Sequence, residues 1–250
     1  MADSRLEAVA SNLPPQPASP KECIMIVAER KPFAEIEAML APYKKVLIAG
    51  CGTCVAVCLT GGEKEVGLLA AELSIASQIK GRPLLLGQAT VERQCDREFL
   101  SELKDQVAEN EAVLSLACGA GIQFLAEMYE DKPVLPGVNT TFIGVNEAVG
   151  FWTERCRACH ECLLDQTGGI CPKTICAKGL LNGPCGGTVH GQCEVNIEKP
   201  CAWTLIYQRL EKTGRLDQIR KAFEPGRHDL MTTPAYQTHA AYKRRFEAHE

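Results

Sequence analysis

KVLIAGCGTCVAVC, running from Lys45 to Cys58, is the stretch that decides the fold. Its first part, Val46-Leu47-Ile48-Ala49, is an apolar run of strand length closed by Gly50, the pattern of a strand buried on both faces. Its second part sets Cys51 directly after that strand. Cys54 and Cys58 follow four residues apart, so one helical turn would point both sulfurs the same way. A helix is then expected from about Glu63, with Val66, Leu69, Leu73 and Ala76 on one face and Thr60-Gly-Gly-Glu63 resembling a capping box.

The same alternation extends in both directions. Upstream, Ile24 to Val27 is a short apolar run, and Pro32 opens a helix whose face is Phe33, Ile36 and Leu40. Downstream, the pattern predicts strands over Pro83–Leu86, Ala112–Ala117 and Val134–Val138, with helices over Glu92–Val107 and Gly121–Tyr129. Apolar strands alternating with amphipathic helices indicate an α/β class: a Rossmann-like, mainly parallel sheet domain over residues 23–148. Residues 1–22, rich in Pro, Ser and Ala, read as a mobile leader.

From Phe151 the helix and strand signals nearly vanish, and Gly, Pro and Cys take over. Residues 151–202 read as a small cysteine-rich domain that needs metal staples, because its hydrophobic burial alone does not offset the entropy of ordering it. Residues 203–250 read as a helix and C-terminal arm. Trp203, Ile206, Leu210, Leu216, Ile219 and Phe223 form an apolar stripe, Pro225-Gly226 ends it, and the arm adds Tyr236, Tyr242 and Phe246. Such a stripe is expected either to dock a partner or to pack back on the α/β domain.

The chain has 14 cysteines among 250 residues, eight of them between Cys156 and Cys201. Met1 to Pro20 lacks the basic and apolar regions of a signal peptide, and no apolar run is long enough to span a bilayer, so a cytoplasmic chain away from membranes is expected. Thiols stay reduced in that compartment, so the spacing points to metal rather than disulfides. A net charge of −4, with only Lys44-Lys45 and Lys243-Arg244-Arg245 as basic clusters, gives no footprint for nucleic acid.

In a parallel sheet Cys51, Cys54, Cys58, Cys95 and Cys118 all fall at the carboxyl edge of the strands, where α/β folds build their sites. An iron–sulfur cluster takes four cysteines. Cys54, Cys58 and Cys118 are the first three candidates, and Cys51 and Cys95 compete for the fourth place. Gly50-Cys51-Gly52 imitates a dinucleotide loop, but Val55 stands where the third glycine belongs and no acidic residue follows the next strand.

Downstream, Cys156, Cys159 and Cys162, followed by Cys171-Pro172, partly match a ferredoxin-type run, with a longer gap before the fourth cysteine. Cys176, Cys185, Cys193 and Cys201 supply a second set of four. Eight thiolates make two four-cysteine sites, and spacing alone does not separate zinc from iron–sulfur clusters. Cys156-Arg-Ala-Cys159-His160 also spells the haem attachment pattern, but Cys162 follows at once and no export signal is seen.

Gly50-Cys-Gly-Thr-Cys-Val-Ala-Val-Cys58, Gly61-Gly-Glu-Lys-Glu-Val66, Leu116-Ala-Cys-Gly119, Asn139-Thr-Thr-Phe142, Thr167-Gly-Gly-Ile-Cys-Pro172 and Leu181-Asn-Gly-Pro-Cys-Gly-Gly187 together carry a resemblance. From residue 23 to about 224 the chain resembles the MetV family, the iron–sulfur small subunits of acetogen-type methylenetetrahydrofolate reductase, including their reductase C-terminal domain. The resemblance implies an electron-transfer subunit without folate chemistry of its own. Its partner would be a flavin-containing MetF-type subunit that reduces methylenetetrahydrofolate to methyltetrahydrofolate, with ferredoxin or further subunits as electron donors. The five upstream and eight downstream cysteines lead to an expectation of three [4Fe–4S] clusters, one downstream site being open to zinc. The alternative is a zinc-stapled docking subunit without redox work. The leader and the residues after 225 lie outside the family motifs.

Overall fold

The computed structural model describes residues 26–148 and 150–220. The contacts divide these into two units, one spanning Arg30–Val138 and the other joining Ile26–Glu29 to the chain from Asn139 onward.

The first unit is built on four parallel strands, β2 (Lys45–Cys51), β3 (Leu85–Val91), β4 (Ala112–Ser115) and β5 (Val134–Pro136), in the order β3-β2-β4-β5. Its helices are α1 (Phe33–Leu40), α2 (Cys54–Val57), α3 (Glu63–Ile79), α4 (Arg97–Ser101), α5 (Lys104–Ala108) and α6 (Gly119–Met128). Alternate residues of the central strand serve opposite faces, as the pleat requires. Leu47 and Ala49 join Val91, Leu100, Leu103, Val107, Val113 and Leu125 in a core under α4, α5 and α6. Val46, Ile48 and Leu114 are buried as well, and α3 covers β2 and β3 through Val66, Leu69 and Leu73. Burial on both faces is why β2 and β4 read as unbroken apolar runs.

Several boundaries differ from the expected ones for local reasons. The helix expected over Glu92–Val107 is two short helices, because the chain stays extended to Val91 and Asp96 caps α4 by accepting from the Glu98 amide at 3.1 Å. The cap of α3 is Gly62 rather than Thr60: the Glu65 carboxylate accepts from the Gly62 amide at 3.1 Å, while the Thr60 hydroxyl donates to the Val55 carbonyl. The strand expected to run to Val138 ends at Pro136, and Gly137 turns the chain into the other unit's sheet.

The second unit holds β1 (Ile26–Arg30, its last residue counted with the first unit), β6 (Val138–Ala148, from Asn139) and β7 (Phe151–Cys156) in the order β1-β6-β7. β6 and β7 pair antiparallel with two register shifts. No strand was expected at β7, since β6 and β7 bury little and leave no clear apolar alternation. α7 (Pro172–Ile175), α8 (Ala202–Lys212) and a 3-10 turn over Leu216–Arg220 follow. Trp203, Ile206 and Leu210 are not a free stripe. They are buried with Ile170 and Cys201, and Ile175, Cys176, Leu180, Leu216 and Ile219 pack against them. The docking expectation therefore fails for these residues, because they are the core of the cysteine-rich unit itself. Phe223, Tyr236, Tyr242 and Phe246 lie outside the described residues.

Candidate metal centres

The chain leaves β2 toward β3 on one side and then crosses to β4 on the other, so the order reverses between the carboxyl ends of β2 and β4. In doubly wound sheets that crevice is where ligands bind. Cys51 is the last residue of β2, Cys54 opens α2, and Cys118 caps α6; all three are buried. Cys95 follows β3 and is exposed by surface area.

Their electrostatics tie four of the sulfurs together. The Cys54 thiol donates to the Cys118 sulfur, and backbone amides of Gly121, Ala120 and Cys118 outweigh the cost of burial, so the Cys118 thiol is lowered to about 6. Amides at a helix N-terminus favour a thiolate for the same reason that they favour any anion. Desolvation pushes the Cys95 thiol up despite its exposure, and Cys51 and Cys118 push it further in the same direction. Cys51 Sγ lies 3.7 Å from the Thr53 hydroxyl and 3.9 Å from the Glu92 carbonyl. Cys58 is buried one turn beyond Cys54, at the C-terminus of α2.

Close backbone approach holds the loop over this edge. The Cys51 amide donates to the Gly61 carbonyl at 2.8 Å, and a Cβ added at Gly61 would stand 1.9 Å from the Leu116 carbonyl oxygen. Only glycine fits there. Beneath the loop, the crevice between β2 and β4 is filled by the fully buried side chain of Gln94, which sequence reasoning missed because nothing in its neighbourhood marks it.

In the second unit, Cys176, Cys185, Cys193 and Cys201 line one small cavity of about 20 Å³, together with Lys178, Thr188, Glu194 and Trp203. That volume is room for about one water-sized sphere. Burial works against ionising Cys201, yet the Thr204 amide and hydroxyl, the Trp203 amide and the Thr188 hydroxyl hold its thiol below the usual value. Cys185 donates to the Glu194 carboxylate at 3.1 Å and accepts from the Gly187 amide at 3.4 Å. The other four cysteines are more dispersed. Cys156 ends β7 and accepts from the Ala158 amide, Cys159 donates to the Glu161 carbonyl, Cys162 is exposed, and Cys171 caps α7 and accepts from the Thr174 hydroxyl.

Among the described residues, no three His, Cys, Asp or Glu side chains close on a point sized for one ion. The donors nevertheless fit a thiolate-bound group. They are all sulfur at the sheet edge, Cys118 caps a helix whose amides favour negative charge, and a cluster needs a wider ring than a single ion does.

A cavity of about 700 Å³ lies at the opposite edge of the sheet, lined by Leu40, Tyr43, Leu73, Lys80, Arg82 and Leu84 among others. Two of its cations pair within its own wall, Lys80 with the Glu37 carboxylate at 2.6 Å and Arg82 with the Ala41 carbonyl at 2.6 Å.

Cysteines set in this way narrow the families to compare. Residues 135–229 match the methylene-tetrahydrofolate reductase C-terminal family. The reductase match takes in all eight downstream cysteines and stops short of the upstream five. It agrees with the resemblance to MetV-type subunits, and links the chain to an oxidoreductase. No curated protein and no solved structure matches the chain. No helix among the described residues is long and apolar enough to cross a membrane.

Proposed function

We propose that this chain is the iron–sulfur small subunit of a methylenetetrahydrofolate reductase, passing electrons to a flavin-carrying MetF-type subunit on which the folate is reduced. The observation that carries the reading is the gathering of Cys51, Cys54, Cys95 and Cys118 at the switch point of a doubly wound sheet, in a chain whose residues 135–229 match the reductase family.

Cys118 and Cys54 would be the inner ligands, buried and hydrogen-bonded to one another, with Cys51 beside them and Cys95 closing the set from the solvent side. Cys58, buried one turn beyond Cys54, competes with Cys51 and Cys95 for a place in the set. A four-cysteine cluster, when bound, supplies one-electron transfer. The chain's own residues favour the Cys118 thiolate, toward which the amides of α6 turn, and keep Cys51 and Cys54 buried beside it.

Downstream, Cys176, Cys185, Cys193 and Cys201 line one small cavity and would hold either a second cluster or a zinc ion. Cys156, Cys159, Cys162 and Cys171 then form the remaining site, an iron–sulfur cluster by their ferredoxin-like spacing.

The test is anaerobic purification of the full chain with analysis of iron, acid-labile sulfide and zinc, followed by electron paramagnetic resonance after dithionite reduction. Iron and sulfide in equal amounts, a reducible signal and copurification of a flavin protein are the expected results. A colourless protein that holds zinc alone would overturn the electron-transfer role and leave a docking subunit.

A further inference from the structure

The buried side chain of Gln94 makes more connections than any structural filler requires. Its amide nitrogen donates to the Ala49 carbonyl at 2.9 Å and to the Gly50 carbonyl at 3.0 Å, both at the end of β2. Its amide oxygen accepts from the Ser115 hydroxyl at 2.7 Å, at the end of β4. Ser115 is itself fully buried, and its hydroxyl accepts from the Ala117 amide at 3.3 Å. The network therefore joins three chain segments, and on each the next residue is a cysteine: Gly50 precedes Cys51, Gln94 precedes Cys95, and Ala117 precedes Cys118. The fourth element is held too, because a Cβ at Gly121 in the first turn of α6 would come within 2.9 Å of the Gln94 Cβ.

Buried polar groups joined in one satisfied network fix geometry more firmly than apolar packing does, since each lost bond leaves a stranded partner. We infer that Gln94 is a positioning residue. Its amide locks the ends of β2 and β4 and its own loop at one spacing, and so sets how Cys51, Cys95 and Cys118 present their sulfurs to a thiolate-bound group. This rests on the proposed iron–sulfur role for the upstream site. Gln94 would touch no metal or substrate; it acts only through the cysteines beside it.

Partners of this kind around metal ligands govern how tightly the metal is held. The test compares the full chain with Ser115→Ala, which removes the bond to Gln94 and the one from the Ala117 amide and leaves Gln94 in place, and with Gln94→Met, which keeps the length and removes all three bonds of the Gln94 amide. Anaerobic chelator competition, the paramagnetic resonance line shape of the reduced protein and urea unfolding of the first unit are measured together. Ser115→Ala is expected to fold, to hold the upstream iron about tenfold more weakly, and to change the line shape; Gln94→Met should go further. Gln94→Met that does not fold leaves the decision to Ser115→Ala.

A merely structural role would lower the urea midpoint and leave the iron hold and line shape unchanged in Ser115→Ala, and that result overturns the inference. If the parent chain carries no iron, the iron–sulfur role has failed. The positioning role is then read from cadmium(II) titration of the metal-free chain, with Cys118→Ala as the reference for the upstream sulfurs. Equal cadmium affinity in the parent and Ser115→Ala would overturn it on that arm.

Discussion

Cysteine at the mouth of a helix recurs along this chain: Cys118 caps α6, Cys171 caps α7 and Cys201 caps α8. The amides beyond the caps of α6 and α8 turn the Cys118 and Cys201 thiols into better thiolates. Replacing Cys54 or Cys118 by alanine is therefore expected to remove one cluster's worth of iron and to leave the second unit folded, as measured by iron content and by circular dichroism of the variant. Glu111 is the residue with the clearest pH prediction. Its carboxylate accepts from the Lys44 amide at 2.6 Å and more weakly from the Lys45 amide, and these bonds, with the Lys44 charge, hold it below the usual carboxylate range. A lowered carboxylate stabilises the fold fully above its unfolded value and loses that contribution as pH falls through the folded one. The stability gap between the parent and Glu111→Gln, read from urea midpoints, should close as pH drops below about 4. The cysteines were legible from spacing alone. Gln94 and Glu111 were not, because their partners lie 45 and 67 residues away and a polar side chain does not announce its acceptor.

Among the elements, those with strong burial were the ones the sequence revealed. β2 and β4 are buried along nearly their whole length, and α1 and α8 carry their apolar residues at helical spacing, so each was expected where it lies. The β6–β7 hairpin escaped notice because its exposed residues leave the two-residue period blank, although Thr, Ile, Val and Phe in 140–145 carry β propensity. What α8 does for its unit was also hidden, since the apolar residues it meets come from the glycine-rich segment before it. The Trp203 indole donates to the Leu180 carbonyl at 3.0 Å, and Leu210 is fully buried. Leu210→Ala is expected to cost the second unit about 2–5 kcal/mol. The unfolding transition of that unit should shift while the first unit's transition stays. At Gly61, alanine would drive a methyl group into the Leu116 carbonyl, and a loss of about 1–3 kcal/mol in the first unit is expected from overpacking.

At the scale of the whole molecule, the two units hold themselves together differently. The first has a continuous apolar core between sheet and helices, whereas the second gathers its smaller core around Trp203 and Ile206 and places eight cysteines about it. Removing metal with a strong chelator should therefore raise hydrogen exchange across residues 156–201 and leave β2 and β4 protected. Equal protection in both states would show that the second unit needs no metal.

The first strand adds a constraint of timing. β1 shares a sheet with β6, and the Thr141 hydroxyl donates to the Val27 carbonyl across 114 residues of chain. During synthesis the chain emerges from its N-terminus, and domains fold as their residues appear. Residues 30–138 form a contiguous body that can close as soon as it leaves the ribosome, while β1 waits without its neighbour until that whole body has been made. The cysteine-rich unit is thus the later of the two to assemble, although its earliest piece is already out. Cutting or fusing the chain between Ile26 and Glu29 would then harm the half that lies farthest along the sequence, so a purification tag is better carried well ahead of this strand.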